Sequence, residues 1–291
     1  MKRYKWIWIP LLVVILVAAV LLLFKETPNQ DTSISLEDVP AYSENPFVIL
    51  ENNQPRFAAD ELKAKAFEYY SELDALGRCG YAMACISRDL MPTEERESIG
   101  HIKPSEWNQA QYDVVEGRNL YNRCHLIGFQ LTGENDNEKN LITGTRYMNM
   151  EGMLPFENMV ADYIKETGNH VLYRVTPVYK GNNLLATGVQ LEAKSIEDSG
   201  EGICFHVFVY NSQPGITIDY ADGSSWLATE SKPVQNENSE GLYVLNTSSK
   251  KFHTSSCAQG KSITDKNRKE YTGERKALIE EGYEPAGCCK P

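Results

Sequence analysis

Basic charge is what this 291-residue sequence is short of: 29 lysines and arginines stand against 40 aspartates and glutamates, a net charge of −11. Contacts from basic side chains to phosphate supply most of the non-specific affinity of a nucleic-acid binder. The balance therefore argues against a module whose only task is to grip a polyanion. Histidine is scarce too, at five, and any one histidine is more readily a solvated or core residue than a base. The seven cysteines are an odd number, which excludes a framework in which every thiol pairs within the chain. No Ala-x-Ala cleavage signature follows the first apolar run, and residues 26–57 carry no catalytic signal.

What is present divides the chain into five stretches. Trp6 to Phe24 is an uncharged run of 19 residues, about 28 Å as a helix and so long enough to cross a hydrocarbon core of about 30 Å. Lys2, Arg3 and Lys5 precede it and favour a cytoplasmic N-terminus, with Trp6 and Trp8 at the inner interface. Residues 1–25 thus read as a transmembrane anchor, or as a signal if cleaved, and 26–57 as a Pro-, Asn- and Ser-rich tether or peripheral arm. A main domain is expected over 58–228, a polar linker over 229–240, and a small module rich in Cys and His over 241–291.

Within the main domain, Leu62, Ala66, Phe67, Tyr70 and Leu73 have helical spacing, predicting a helix from Asp60 that Gly77 stops. Strands are expected at Tyr81–Ile86, His170–Tyr179, Leu184–Ala193 and Ile203–Tyr210, with a hairpin at Gly181-Asn182-Asn183. A helix over Pro155–Thr167 should bury Met159, Val160, Tyr163 and Ile164. Cys79 and Cys85 could form a bridge in an extracellular setting. His101 and His170 read as solvated or structural and His206 as a satisfied core histidine. The fold class that follows is α+β, a twisted antiparallel sheet with flanking helices.

The densest chemistry lies at Tyr121-Asn122-Arg123-Cys124-His125 and Asn140-Leu141-Ile142-Thr143-Gly144-Thr145-Arg146-Tyr147-Met148-Asn149. The pattern predicts strand, loop, strand and helix, with Thr145 capping the helix that carries Asn149. Such a unit can set one imidazole and one amide oxygen on facing elements around a water and a divalent cation. Arg118, Arg123, Lys139 and Arg146 give it local positive charge within an acidic chain.

These residues resemble the DNA/RNA non-specific endonucleases of the ββα-metal type, whose signature is Asp-Arg-Gly-His followed by a metal-binding Asn on the next helix. The likeness runs from Tyr121 to about Tyr210. It is close to the secreted and prophage-encoded deoxyribonucleases of Gram-positive bacteria, through Asn-Leu-Ile-Thr-Gly-Thr-Arg at 140–146 and Glu-Gly-Met-Leu-Pro-Phe-Glu-Asn at 151–158. Asn122 stands where Asp is usual and Cys124 where Gly is usual. The resemblance implies His125 as general base, with Arg123, Asn140 and Arg146 as supporting catalytic residues. Asn149 and Glu157 would bind Mg²⁺, with Mn²⁺ as an alternative. Because Pro155 interrupts any single regular helix through both, periodicity alone does not put Asn149 and Glu157 on one face. Cys124 reads as apolar filler, since water with a metal attacks phosphorus better than a thiol.

The end of the chain, with Phe252-His253-Thr254-Ser255-Ser256-Cys257 and Gly282-Tyr283-Glu284-Pro285-Ala286-Gly287-Cys288-Cys289, resembles short Ada-like zinc-binding modules. The resemblance implies His253, Cys257, Cys288 and Cys289 as candidate zinc ligands, with Ala286 standing where a Cys is expected. Zinc, a disulfide from Cys257 to Cys288 or Cys289, and a module without metal all stay open. The whole reads as a membrane-anchored extracellular endonuclease acting on DNA, and on RNA as a second substrate, with little sequence preference. The alternative is a surface nucleic-acid-binding or uptake protein whose nuclease core has weakened. Cleavage that stops with chelator separates the first from the second.

Overall fold

The computed structural model describes residues 34–230, 240–255, 257–286 and 289. The expected membrane segment at 6–24 and Cys288 lie outside these residues, as does most of the expected linker. Among the described residues no helix is long and apolar enough to cross a membrane.

The elements of the main unit follow in chain order as β1 (Phe47–Ile49), β2 (Phe67–Tyr70), β3 (Ala82–Ile86), β4 (Tyr121–His125), α1 (Phe129–Thr132), β5 (Leu141–Thr145), α2 (Leu154–Thr167), β6 (Val171–Val178), β7 (Gly188–Ser195) and β8 (Cys204–Tyr210). Six strands form one sheet in the order β1-β8-β7-β6-β3-β2, antiparallel at every pairing. The separate β4–β5 pair is also antiparallel.

Alternation along the strands gives the sheet two unlike faces. Ala82, Ala84, Ile86, Val171, Tyr173, Val175, Val189, Leu191, Phe205, Val207 and Val209 point to the front, where they meet Phe156, Val160, Ala161 and Ile164 of α2 and Cys124 and Ile142 of the β4–β5 pair. The alternate positions Arg174, Gln190, Glu192 and His206 are equally buried but polar. Arg174 pairs with Glu192 at 2.8 Å, and the backbone N–H of Arg56 also donates to Glu192, at 2.7 Å.

Several expectations change here. Phe67–Tyr70 is an edge strand rather than part of a helix, with its side chains alternately exposed and half-buried. The aromatic pair Tyr69–Tyr70 and the adjacent β3 edge decide in favour of extended chain. Gly77 turns the chain after it, at φ +73°, with its N–H on Asp74 O. Residues 34–57, expected within a tether, pack on the back of the sheet: Ile34 and Leu50 are buried and β1 pairs with β8. Cys79 and Cys85 are free thiols. The first joins the front core and the second a small cluster with Met83 and Leu172, so the sheet separates them. In α2 the buried residues are Phe156, Glu157, Val160, Ala161 and Ile164, while Met159 is exposed. His206 is a fully buried, hydrogen-bonded core residue, as expected.

A second unit comprises the hairpin β9 (Ile216–Ile218) and β10 (Ser225–Leu227) and the C-terminal residues. From Glu240 onward it holds β11 (Glu240–Asn246), β12 (Lys251–Thr254), α3 (Ala258–Lys261), β13 (Arg268–Glu274), α4 (Arg275–Glu280) and β14 (Glu284–Pro285). The sheet order is β13-β11-β12-β14, over a core of Tyr243, Leu245, Phe252, Leu278 and Tyr283.

Candidate active site and candidate metal centre

The β4–β5 pair sets His125 opposite Leu141 and Cys124 opposite Ile142. Alternation turns Cys124 into the core, fully buried, and His125 to the other side. Gly144 makes room for the thiol: a Cβ there would stand 2.5 Å from Cys124 Sγ. The sulfur thus fills space that a glycine on the neighbouring strand provides. Burial pushes the thiol far above its ordinary pKa, as suits filler rather than a nucleophile.

His125 is itself nearly buried, with Nε2 2.8 Å from the Asn135 carbonyl oxygen. A carbonyl only accepts, so Nε2 carries the proton and Nδ1 presents the lone pair. Arg96 Nη2 lies 3.4 Å from that Nδ1. Burial, with the Arg96 charge, pulls the imidazole down to about 4 against the opposing effect of the Asn135 hydrogen bond. His125 is therefore neutral, and able to accept a proton, throughout the physiological range. An ordinary imidazole would be partly protonated at the lower end of it.

Asn140 is fully buried and closes the turn after His125. Its Oδ1 accepts from Ile127 N at 2.9 Å and its Nδ2 donates to Ile127 O at 3.0 Å, while its own carbonyl accepts from Leu126 N. Both amide atoms are spent on the backbone, so Asn140 holds the turn in shape. Thr145 does cap the helix, its Oγ1 accepting from Met148 N at 3.0 Å and donating to Ser212 O.

Between that cap and α2 the chain makes a π turn, Met148–Met153, and Pro155 sits in the first turn of α2 without breaking the run. Asn149 is half-buried on the π turn and Glu157 is buried on α2. The Glu157 carboxylate lies against Gly128, where a Cβ would stand 2.5 Å from its Oε2. Burial raises the Glu157 carboxyl to about 7, against the lowering effects of Gln130, the Arg96 charge and the Gly128 N–H. An amide oxygen and a carboxylate are hard oxygen donors of the type that suits Mg²⁺.

The two other arginines are engaged elsewhere. Arg123 donates to the carbonyls of Ile102 and Gly100 and stacks over Trp107 at 4.1 Å, fastening the loop before β4. Arg146 reaches Glu116 at 3.3 Å, and its Nε is buried without a partner among the described residues. Arg96, which sequence analysis did not single out, is the cation that stands by His125 and influences Glu157. Its only signal was a lone positive charge in Glu94-Glu95-Arg96-Glu97.

In the second unit, ligand atoms of His253, Cys257 and Cys289 all lie within 4.8 Å of one another. His253 Nδ1 is 3.5 Å from Cys257 Sγ and 3.8 Å from Cys289 Sγ. β12 supplies the histidine and the turn into α3 the first cysteine. One imidazole and two thiols are donors of the softness zinc prefers.

Residues 60–197 match the family model for DNA/RNA non-specific endonucleases. No curated protein matches. Among solved structures, NucA from Streptococcus agalactiae with magnesium ion bound is similar at 26% identity and a TM-score of 0.59, covering 66% of this chain and 93% of that one. NucA with no metal bound gives 26% identity and 0.58. The Sda1 nuclease with bound zinc ion gives 27% and 0.54, covering 63% of this chain and 97% of that one. Residues 60–197 are thus similar to the DNA/RNA non-specific endonuclease family in sequence, and to the NucA and Sda1 nucleases in fold.

Proposed function

We propose that this protein is a metal-dependent endonuclease that hydrolyses phosphodiester bonds of DNA, and of RNA as a second substrate, with little sequence preference. The observation that carries the reading is the fixed tautomer of His125: a buried, neutral imidazole with Nδ1 free of its own proton. Nδ1 would take the proton of an attacking water, help worth roughly 10² to 10⁴ in rate. Arg96, close enough to reach the same nitrogen, would swing its guanidinium onto the scissile phosphate and free the lone pair. Asn149 and Glu157 would hold the cation, Mg²⁺ or Mn²⁺, the metal in NucA being magnesium. When bound, that ion would stabilise charge on the phosphorane and on the departing oxygen. Arg123 and Asn140 act at one remove, by holding the loop and turn that flank His125, and Arg146 would reach a more distant phosphate only by leaving Glu116.

The substitution of Cys124 for the usual glycine does not favour a weakened binder, because Gly144 accommodates it. We further assign zinc to His253, Cys257 and Cys289, and residues 6–24 to a membrane anchor that leaves the nuclease extracellular. Plasmid and RNA digestion by the full-length protein in detergent tests the enzyme reading. Cleavage should need Mg²⁺, stop with EDTA and be lost in His125→Ala and Asn149→Ala. Undiminished cleavage by His125→Ala, or binding without cleavage by the parent, would overturn it.

A further inference from the structure

The back of the sheet carries a hydrogen-bond chain whose directions are fixed at both ends. The Gln54 carbonyl, 3.0 Å from His206 Nδ1, only accepts, so Nδ1 carries the proton. His206 Nε2 is then a lone pair, and Gln190 Nε2 donates to it at 2.9 Å. That orientation turns Gln190 Oε1 to the backbone N–H of Ile34, 3.2 Å away. An N–H only donates, so all three contacts require the same arrangement. His206 and Gln190 are both fully buried, leaving no water to repair a mismatch.

A second proton on His206 would break this chain in one way. Nε2–H would face the Gln190 amide N–H, and turning the amide over to satisfy it would set Gln190 NH₂ against Ile34 N–H, donor against donor. A buried donor without an acceptor is costly, and the cost is relieved only when the Ile34 N–H leaves its buried position for water. The residues after it are held by their own contacts, the Pro40 carbonyl accepting from Tyr210 OH at 2.6 Å and β1 pairing with β8. We infer that His206, Gln190 and the Ile34 amide form a proton-operated latch, which frees residues 34–39 from the back of the sheet when the imidazole becomes doubly protonated.

The surroundings set where this happens. Glu51 Oε2 lies 3.7 Å from His206 Nδ1, and Glu192 on β7 and Arg56 also act on the ring. Asn53 Oδ1 accepts from His206 N at 3.0 Å and is neutral. Glu192 is already paired with Arg174. Burial and Arg56 outweigh the two carboxylates and hold the imidazole below its ordinary range, so the latch is closed at neutral pH and opens in acid.

Hydrogen exchange of the full-length protein in detergent, corrected for intrinsic rates, tests this between pH 7.5 and 5. Protection of amides 34–39 should fall about tenfold in acid while β6–β8 keep theirs. The midpoint should coincide with the NMR titration of His206. His206→Gln, which can donate and accept without charging, should abolish the response, and Ile34→Pro should leave the segment equally open at both pH values. Unchanged protection in the parent, a midpoint away from that of His206, or a response that survives His206→Gln would overturn the latch. The parent and Ile34→Pro measurements decide the matter if His206→Gln does not fold.

Discussion

The two units place unlike candidate ligands, hard oxygens in one and an imidazole with thiols in the other, on very different foundations. The nuclease unit stands on a cluster of 25 buried side chains in front of the large sheet, and His125 and Glu157 are shaped by that mass. The C-terminal module has five such side chains and a compact set of metal donors at its edge. Small cores need a staple. On the proposed readings a metal would be an instrument in one unit and a strut in the other. Charge differs along the chain as well: residues 34–230 hold thirty acidic against fifteen basic side chains, whereas 240–291 hold seven against nine.

The sharpest way to break this contrast is chelation. Stripping metal, or Cys257→Ser, should remove all amide protection from β11–β13, because ion binding and folding are one event in such modules, while β6–β8 exchange as before. Equal loss in both units would end the distinction. Next in size, His125→Ala should lower kcat by roughly 10² to 10⁴ with little change in the melting temperature of the nuclease unit. Asn140→Ala should do the reverse, destabilising that unit by about 3 kcal/mol in urea titrations through the stranded Ile127 N–H and C=O.

The pH dependence follows from the same burial. His125 titrates near 4 in the fold and near about 6.5 when unfolded. The unfolded chain therefore binds more protons between those values, and stability falls as pH falls through that window. At saturating Mg²⁺, kcat/KM should hold through pH 6 and decline only towards 4; a break near 6.5 would show that His125 is solvated. Smallest is Gly144→Ala, whose Cβ would press on Cys124 Sγ. It should cost roughly 1 to 3 kcal/mol by overpacking, recovered by a second change, Cys124→Gly.

Much of the site was legible because it is local. His125, the turn at Asn140 and the Thr145 cap fall within 21 residues of one another, and strand alternation with a capping hydroxyl is written in residue types. Arg96 was not legible, because it reaches His125 from 29 positions away through an irregular loop. The π turn was hidden too: no residue type demands it, and Pro155 suggested a break where the helix continues. Phe67–Tyr70 misled because Leu62, Ala66, Phe67, Tyr70 and Leu73 fit a helical stripe, while pairing with β3 decided the outcome. The packing of residues 34–57 depends on polar groups across the sheet, such as Gln190 and Glu192, that composition cannot locate.

The proton inventory of His125 is written by a backbone atom. The Asn135 carbonyl determines which nitrogen of His125 is bare, and every amino acid carries that carbonyl. Position 135 can therefore drift through many side chains during evolution while the chemistry stays constant, and a profile of conserved residues would pass over it. An insertion or deletion between Gly133 and Asn137 would be the lesion to fear, because it shifts the oxygen while leaving every familiar signature residue in place.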